Sequence, residues 1–367
     1  MSETLVKGLA YHGNRMIPHI KDDMRQIAAN GFNAVVHMFS HNDLRRHKLI
    51  MKDIIEISRE NGLDVYLNNW GLPGAPGDPS HFLSAHPGCQ QVYNVGGIEN
   101  PAFPAVMVCY NRPEFIEFTK EWIDAAYDAG ARKLTYDEPH MTTADFDENG
   151  RPRVWACRCE VCQKLFEERY GRKMPVLYDD DVEEFRLWTF TNYFETVCEY
   201  ATSKGMENAL ILKLQADHGI CLSKAEALFK SPHIQNIGSD PYQRVEGYVD
   251  AYKFIYHPTK ENIELCKKYN KDHNVWIRGF GLPQSREEEI IAAADAIYDA
   301  GARKIFIWGF RGCDGNDYRM HSPETAWRVM GDAMARITER HRNKLWEEAK
   351  KAVAAGDKSN DAGFDEY

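Results

Sequence analysis

The chain has 367 residues, of which 43% are hydrophobic and 12% aromatic, which is enough for a sizeable core and excludes a disordered or fibrous protein. The formal net charge of -10 argues against general affinity for nucleic acid or anionic membranes, because both depend on clustered Lys and Arg. No apolar run approaches the roughly 20 residues that cross a bilayer, and the first residues lack the pattern of a signal peptide. We therefore expect a cytoplasmic protein.

One unit recurs along the chain: an amphipathic helix, a Gly or Asn-Gly stop, and a short apolar run that ends in polar residues. The candidate strands are residues 5–12, 32–39, 63–70, 132–137, 208–216, 234–240, 274–280 and 304–309. Eight strands alternating with helices, without the GxGxxG fingerprint of a dinucleotide fold, predict a (β/α)8 barrel, or TIM barrel. We expect one catalytic domain over residues 1–350 and a polar, disordered tail over 351–367.

The segment YDAGARK occurs twice, starting at Tyr127 and at Tyr298. The first copy leads into the fourth predicted strand and the second into the eighth. This spacing fits duplicated half-barrels, and convergence on a stable helix–Gly–strand junction explains it equally well. Because the first copy is followed by Asp137 and Glu138 and the second by aromatic residues and glycine, we expect the chemistry at strand four.

Active sites of such barrels lie at the carboxyl ends of the strands, so the residues after each apolar run are the candidates. Here these residues are polar and aromatic. Carboxylates and amides bind paired hydroxyl groups, and Trp or Tyr rings stack on the apolar face of a sugar. We therefore predict a small carbohydrate substrate. The candidate substrate-binding residues are His12, Arg15, His37, Asn69, Trp70, His140, His218, Tyr242, Arg278, Trp308 and Arg311.

The Gly- and Pro-rich segment 69–105 has no helical or strand periodicity. A loop of this length in a compact domain is typically a lid or a wall of the substrate site. We expect this loop to shape the site, with Trp70 as a stacking platform at the end of strand three.

Glu138 is the predicted proton donor. Adjacent residues at a strand end point in different directions, so Asp137 and Glu138 cannot reach one atom in the same way. Burial beside another carboxylate favours the protonated form that a general acid needs. Asp240, after strand six, is our first choice for the second carboxylate, and Asp217, after strand five, is the second choice. Because strands four and six are not neighbours, we expect a wide separation and an inverting mechanism.

Nine cysteines, an odd number in a long chain without a visible export signal, predict reduced thiols or metal ligands. Cys157, Cys159 and Cys162 form a C-x-C-x2-C motif, which can aim three thiolates at one tetrahedral ion. Zinc with four thiolates is the usual closed structural site. Cys109, just before another helix start, is the best-placed fourth ligand, and Cys89 is the alternative. The sequence therefore predicts one structural zinc ion, bound by a Cys-rich insertion after strand four.

These residues resemble the β-galactosidases of glycoside hydrolase family 42. The shared features are a lone cysteine in CYNRPEF, the later C-x-C-x2-C motif, and a Glu between them at the end of strand four. The resemblance covers residues 1–180 and implies a (β/α)8 barrel with Glu138 as the acid/base. The implied zinc ligands are Cys109, Cys157, Cys159 and Cys162.

The chain departs from that family at two positions. Asp137 stands where the family has Asn before the acid/base. The strand-seven segment HNVWIRGFGLPQ has no nucleophilic Glu and carries Arg278 instead, and the next glutamates, at 287–289, lie in a helical run. We therefore infer a relative of these enzymes with a different second carboxylate.

The sequence thus predicts a glycoside hydrolase-like enzyme that acts on a small carbohydrate or glycoside. Two alternatives stay open: a metal-dependent lyase or isomerase of sugar acids, with His and Asp as bases, and a carbohydrate-binding protein without catalysis. The sequence does not specify the sugar, the anomer or whether the protein forms a homo-oligomer.

Overall fold

Eight parallel strands close into a barrel in the computed structural model, which describes residues 4–73, 75, 77, 80–96, 107–139, 141–212, 224–243 and 250–354. Each strand pairs with its neighbours along the chain, and the last pairs with the first. The predicted TIM barrel is confirmed, and every predicted strand is present. The barrel strands are β1 (Val6–Tyr11), β2 (Ala34–Met38), β3 (Asp64–Asn68), β4 (Lys133–Tyr136), β7 (Glu207–Leu212), β8 (Asn236–Ser239), β9 (Val275–Arg278) and β10 (Lys304–Trp308).

Helices alternate with the strands and bury one face each, as Ile20, Met24 and Ile27 do in the first helix. The helices are α1 (Ile17–Ala29), α2 (His41–Arg46), α3 (Lys48–Glu60), α4 (Phe82–Ala85), α5 (Pro113–Asp128), α6 (Glu160–Tyr170), α7 (Asp180–Ser203), α8 (Glu226–Lys230), α9 (Ala251–Lys268), α10 (Glu289–Ala300) and α11 (Pro323–Ala354). None of these described helices combines the length and apolar character of a membrane span. The last helix continues to Ala354, beyond the predicted start of the tail at 351, and residues 355–367 lie outside the described residues.

Side chains along each barrel strand alternate between the interior and the surrounding helices. Val36, Tyr66, Trp276 and Phe306 fill the barrel interior, whereas their neighbours in the strands join the core beneath the helices. The same alternation decides which residues at the carboxyl ends can reach a central site. It turns inward His12, Met38, Asn68, Asp137, Asp240, Arg278 and Trp308.

The predicted Cys-rich insertion after β4 is present, and its hairpin was not predicted. It begins with an antiparallel hairpin, β5 (Thr143–Phe146) and β6 (Pro152–Trp155), and continues into α6. Most of β5 is exposed, so its sequence lacks the apolar alternation that identifies a strand. The hairpin carries Cys157 and Cys159 back towards Cys109, which precedes α5.

The two YDAGARK copies adopt the same structure. The glycine of each copy ends its helix with a φ of +96° or +108°, in the left-handed region that favours glycine. The guanidinium of Arg132 lies 4.2 Å from the centre of the Tyr127 ring, and that of Arg303 lies 4.1 Å from the Tyr298 ring. Each arginine also donates to two nearby carbonyl oxygens. The shared structure fits both duplication and convergence.

Candidate active site and four-cysteine cluster

A cavity of about 640 Å³, including its open mouth, lies at the carboxyl end of the barrel. Carboxylates and aromatic rings share this cavity, which is the combination expected for a sugar site. The lining residues are His12, Trp70, Gly77, Asp137, Glu138, Tyr242, Phe280, Trp308, Cys313, Asn316 and Tyr318.

The end of β4 brings two carboxylates to the cavity. Asp137 is buried, and its backbone N–H donates to Asn69 Oδ1 at 2.7 Å. The N–H of Asn69 in turn donates to the Thr135 carbonyl oxygen at 3.1 Å. Glu138 has a φ of +28°, which is uncommon outside glycine and turns this residue out of the strand alternation. Asn69 therefore fixes the strand end and is not among the lining residues, contrary to its predicted contact with substrate.

Asp240 lies at the end of β8, and β7 separates this strand from β4, as predicted. Tyr242, two residues later, lines the cavity. Burial and the negative charges of Asp240, Asp137 and Glu138 raise the pKa of Tyr242 well above its usual value. The phenol is therefore a neutral hydrogen-bond donor, and the three carboxylates lie near enough to influence it.

An aromatic wall faces these carboxylates. The His12 ring centre lies 4.9 Å from that of Trp70 and 4.7 Å from that of Trp308. Burial and the charge of Arg15 lower the pKa of His12 to about 3, so its imidazole is neutral at neutral pH. Gly77 packs against Trp70, where a Cβ atom would lie 2.4 Å from Trp70 Cδ2. The described part of the 69–105 loop thus contributes to the cavity.

Arg278 ends β9, at the position where a retaining relative would carry its nucleophile. Its Nε donates to the Phe280 carbonyl oxygen at 3.0 Å, and Nη1 donates to the Gln243 carbonyl oxygen at 3.2 Å. Burial lowers the pKa of Arg278. Of the glutamates that follow, Glu289 pairs with Arg286, and none is among the residues that line the cavity.

His37 lies behind the barrel wall, which corrects its predicted place in the substrate site. It is fully buried, and its Nε2 lies 2.8 Å from Ser58 Oγ on α3. Burial and the charge of Arg15 lower the pKa of His37 to about 3. Because strand residues alternate, a polar residue at a strand end faces the helices as readily as the cavity.

Arg15 has a structural role at the barrel mouth and is not among the residues that line the cavity. Its predicted contact with substrate is therefore corrected. Its Nε lies 2.8 Å from Asp43 Oδ1, and its Nη2 lies 3.1 Å from Oδ2. The remaining donors reach three backbone carbonyl oxygens, of Gly13, Asn14 and Met38. The guanidinium is thereby committed to joining the ends of β1 and β2.

Arg311 is also outside the cavity lining, contrary to the prediction. It lies near Asp23 on α1, where burial raises the pKa of the carboxyl group and the charge of Arg311 offsets part of that rise. The remaining predicted site residues, His140, Asp217 and His218, lie outside the described residues.

Five lining residues were not among the predicted site residues: Gly77, Phe280, Cys313, Asn316 and Tyr318. The last three follow β10 in the turn-rich sequence CDGNDY, which brings the chain back to the cavity. These turn residues could have been predicted as part of the site, because substrate sites of such barrels are formed by the loops that follow the strands.

The four predicted metal ligands meet in one buried cluster. Their sulfur atoms all lie within 4.8 Å of one another; the residues are Cys109, Cys157, Cys159 and Cys162. Cys109 Sγ is 3.5 Å from Cys162 Sγ and 3.7 Å from Cys159 Sγ. A tetrahedral ion with metal–sulfur bonds of about 2.3 Å separates its ligands by about 3.8 Å, whereas disulfide sulfurs lie about 2.05 Å apart. The spacing therefore fits a metal site, and all described cysteines are free thiols.

The surroundings of the cluster also suit a metal site. Asn111 Nδ2 donates to Cys162 Sγ at 3.4 Å, as an outer-shell partner of a thiolate does. Cys89, the alternative ligand, contributes its carbonyl oxygen, which accepts from the Cys109 N–H at 2.7 Å. In the part of the chain that the structure describes, these four cysteines are the one group of His, Cys, Asp or Glu side chains arranged to hold a metal.

Arg186 connects the cluster to the segment that follows the end of β4. It is buried on α7, and its Nε donates to the Ala156 carbonyl oxygen at 2.8 Å, next to Cys157. Its Nη2 donates to the Met141 carbonyl oxygen at 2.7 Å, a short way after Glu138. One guanidinium thus holds both segments.

No family model matches the chain, and no curated protein matches its sequence. Several solved structures share its fold. The catalytic domain of a β-amylase from Paenibacillus polymyxa is 9% identical with a TM-score of 0.64, over 91% of this chain and 99% of that domain. A β-galactosidase from the psychrophilic Marinomonas ef1 is 11% identical with a TM-score of 0.66, over 95% of this chain and 60% of that protein.

An endo-β-1,4-mannanase from Thermotoga petrophila is 11% identical with a TM-score of 0.56, over 92% of this chain and 77% of that protein. At such identities the likeness concerns the fold alone, and family 42 in particular stays a resemblance. The chain is a (β/α)8 barrel of the kind found in these glycosidases.

Proposed function

We propose that the protein is a carbohydrate-active enzyme that hydrolyses a glycosidic bond. The supporting observation is the composition of the cavity. Asp137 and Glu138 line it, and Asp240 lies near enough to help them raise the pKa of Tyr242. Trp70 and Trp308 also line it and lie next to each other. Carboxylates supply acid and base catalysis, and indole rings bind the apolar face of a sugar.

Glu138 is the proposed general acid and Asp240 the proposed general base. Glu138 donates its proton to the glycosidic oxygen as the bond to the anomeric carbon breaks. Asp240 takes a proton from a water molecule whose oxygen forms the new bond to that carbon on the opposite face. An inverting pair of carboxyl groups lies roughly 6.5–9.5 Å apart, and origin on the non-adjacent strands β4 and β8 favours such a gap.

The remaining groups hold the substrate in this scheme. Tyr242 donates a hydrogen bond from its neutral phenol, and the raised pKa of this group keeps the proton in place. Asp137, fixed by Asn69, accepts hydrogen bonds from sugar hydroxyl groups. In this proposal Glu138 and Asp240 transfer protons, whereas Tyr242 and Asp137 position the substrate.

We further infer that the four cysteines hold one zinc ion with a structural role. Four thiolates complete a tetrahedral zinc site and leave no coordination position for substrate. The metal would stabilise the insertion after β4.

A panel of aryl glycosides, assayed with and without added divalent metal, tests the function. Release of the aryl alcohol without added metal supports hydrolysis. Turnover of sugar acids that depends on added metal would favour the lyase or isomerase instead, and sugar binding without turnover would identify a binding protein. NMR of the first product anomer tests the mechanism, since a retained configuration would remove Asp240 as general base.

A further inference from the structure

Arg278 is a cation at the barrel mouth that forms no ion pair with a carboxylate of the described residues. The strand alternation turns it inward at the end of β9, and it is half-buried. The acceptors of its described hydrogen bonds, on Phe280 and Gln243, are neutral carbonyl oxygens. They fix the guanidinium without neutralising its charge, and leaving a charge unpaired away from water is costly.

Two other arginines near the barrel mouth are paired. Arg15 donates to both carboxylate oxygens of Asp43, and Arg286 Nε lies 2.6 Å from Glu289 Oε1. Among the described residues, Arg278 has no carboxylate within ion-pair distance, although its burial is comparable. The part of the chain that the structure describes therefore supplies no carboxylate partner for Arg278, in contrast to Arg15 and Arg286.

Arg278 is not itself among the residues that line the cavity, but its guanidinium lies beside residues that are. The group lies 4.6 Å from the centre of the Phe280 ring, which lines the cavity and keeps the guanidinium plane fixed. A Cβ atom on Gly281 would lie 3.4 Å from Arg278 Nη2 and 3.9 Å from the carbonyl oxygen of Tyr318, another lining residue. Glycine thus leaves Nη2 open beside the gap between Phe280 and Tyr318.

We propose that Arg278 binds an anionic substituent of the substrate, so that the substrate class is acidic glycosides. This inference rests on the proposed function, whose cavity and substrate it specifies. A planar guanidinium fork suits carboxylate and phosphate oxygens alike. The carboxylates on β4 and β8 repel an anion on their side, so the acidic substituent lies towards β9 and the glycosidic bond towards Glu138.

Calorimetric binding of free sugars tests this inference without requiring turnover. Galactose, galacturonate and galactose 6-phosphate form one matched set, and the corresponding glucose compounds form another. We expect one acidic member to bind at least about tenfold more tightly than its neutral parent at low salt, which corresponds to about 1.4 kcal/mol. The member that binds most tightly tells carboxylate from phosphate.

Three variants assign the effect. Arg278→Gln should remove the preference for the acid, and Arg278→Lys should retain part of it. Arg286→Gln removes a nearby charge that is already paired with Glu289 and should keep the preference. Circular dichroism and melting curves check that each variant folds.

The outcomes separate this inference from the proposed function. Equal affinity for neutral and acidic sugars, or a preference that survives Arg278→Gln, overturns the role of Arg278 while hydrolysis of neutral glycosides can still stand. Binding of acids that depends on Arg278, with no aryl glycoside or glycuronide hydrolysed, supports this inference and removes the hydrolase proposal.

Discussion

The two YDAGARK junctions have one structure and lead to two different environments. The β4 side continues into Asp137, Glu138 and the insertion with the cysteine cluster, whereas the β10 side continues into Trp308 and a 3-10 turn over Phe310–Cys313. Both junctions are fixed by the same helix end and the same Arg–Tyr stacking. The difference teaches that the junction determines the strand, while the residues after it are free to carry chemistry.

The largest expected difference between the two sides concerns the cysteines. The purified protein should contain about one zinc per chain, and Cys159→Ser should lose it together with at least about 5 kcal/mol of unfolding free energy. Cys266→Ser, a buried thiol on α9 outside the cluster, is the matched control and should keep the metal. Elemental analysis and melting curves measure both. Carefully reduced protein without metal would end the zinc assignment.

The next largest effect should come from Glu138. Glu138→Gln keeps the shape of the side chain but cannot donate the proton, so turnover should fall at least about a hundredfold. Glu289→Gln is the control, since this carboxylate pairs with Arg286 and is not among the cavity-lining residues. Steady-state kinetics on the best aryl glycoside decide the point. An unchanged rate would make the β4 side as inert as the β10 side.

The aromatic wall should affect binding more than chemistry. Trp70→Ala removes a stacking surface, so the Michaelis constant should rise about tenfold with a smaller change in turnover number. Sugar titrations and circular dichroism separate lost binding from lost folding. Unchanged kinetics would return the 69–105 loop to an ordinary surface segment.

The two junctions themselves should respond equally. Arg132→Ala and Arg303→Ala each remove one stacked guanidinium, so each should cost about 0.5–1 kcal/mol of unfolding free energy. Chemical denaturation of both variants measures the effect. Clearly different losses of unfolding free energy in the two variants would mean that the two copies contribute differently to stability.

The smallest expected effect on catalysis concerns His12. Because its pKa is lowered to about 3, the imidazole is neutral from pH 5 to 8, and His12→Gln should leave the inflections of the rate profile in place. Its contribution to stability is present above its unfolded pKa of about 6.5 and is lost as the pH falls towards 3. Melting curves at pH 7 and pH 4.5 should therefore show the wild type losing more stability than His12→Gln.

The sequence was sufficient for the barrel because each strand and helix has its own periodicity. It failed for β5, whose exposed residues have no such pattern. The four-cysteine cluster was predictable because three of its members are close in the sequence and only one had to be found. Glu138 was predicted from its position at the end of a strand. His37 was placed in the substrate site by the same argument, which was wrong because alternate residues of a strand face the helices.

Other site residues depended on partners that are distant in the chain. Arg15 is held by Asp43 and Asn69 supports Asp137, and neither pairing leaves a pattern in one sequence. The same limit applies to Phe280 and Tyr318, since only the closed barrel brings their loops to one rim. Local patterns therefore predicted the elements, while the cavity depended on tertiary contacts.

Arg186 couples the four-cysteine cluster to the chain segment after Glu138. Its guanidinium donates to the segment before Cys157 and to the segment after Glu138. Disorder in either segment removes one of the hydrogen bonds that hold this guanidinium in place for the other segment. Linkage is reciprocal. If the cluster holds zinc and the cavity binds a sugar as proposed, we expect the sugar to raise the affinity of the cluster for zinc and removal of zinc to weaken sugar binding, although the four cysteines are not among the cavity-lining residues.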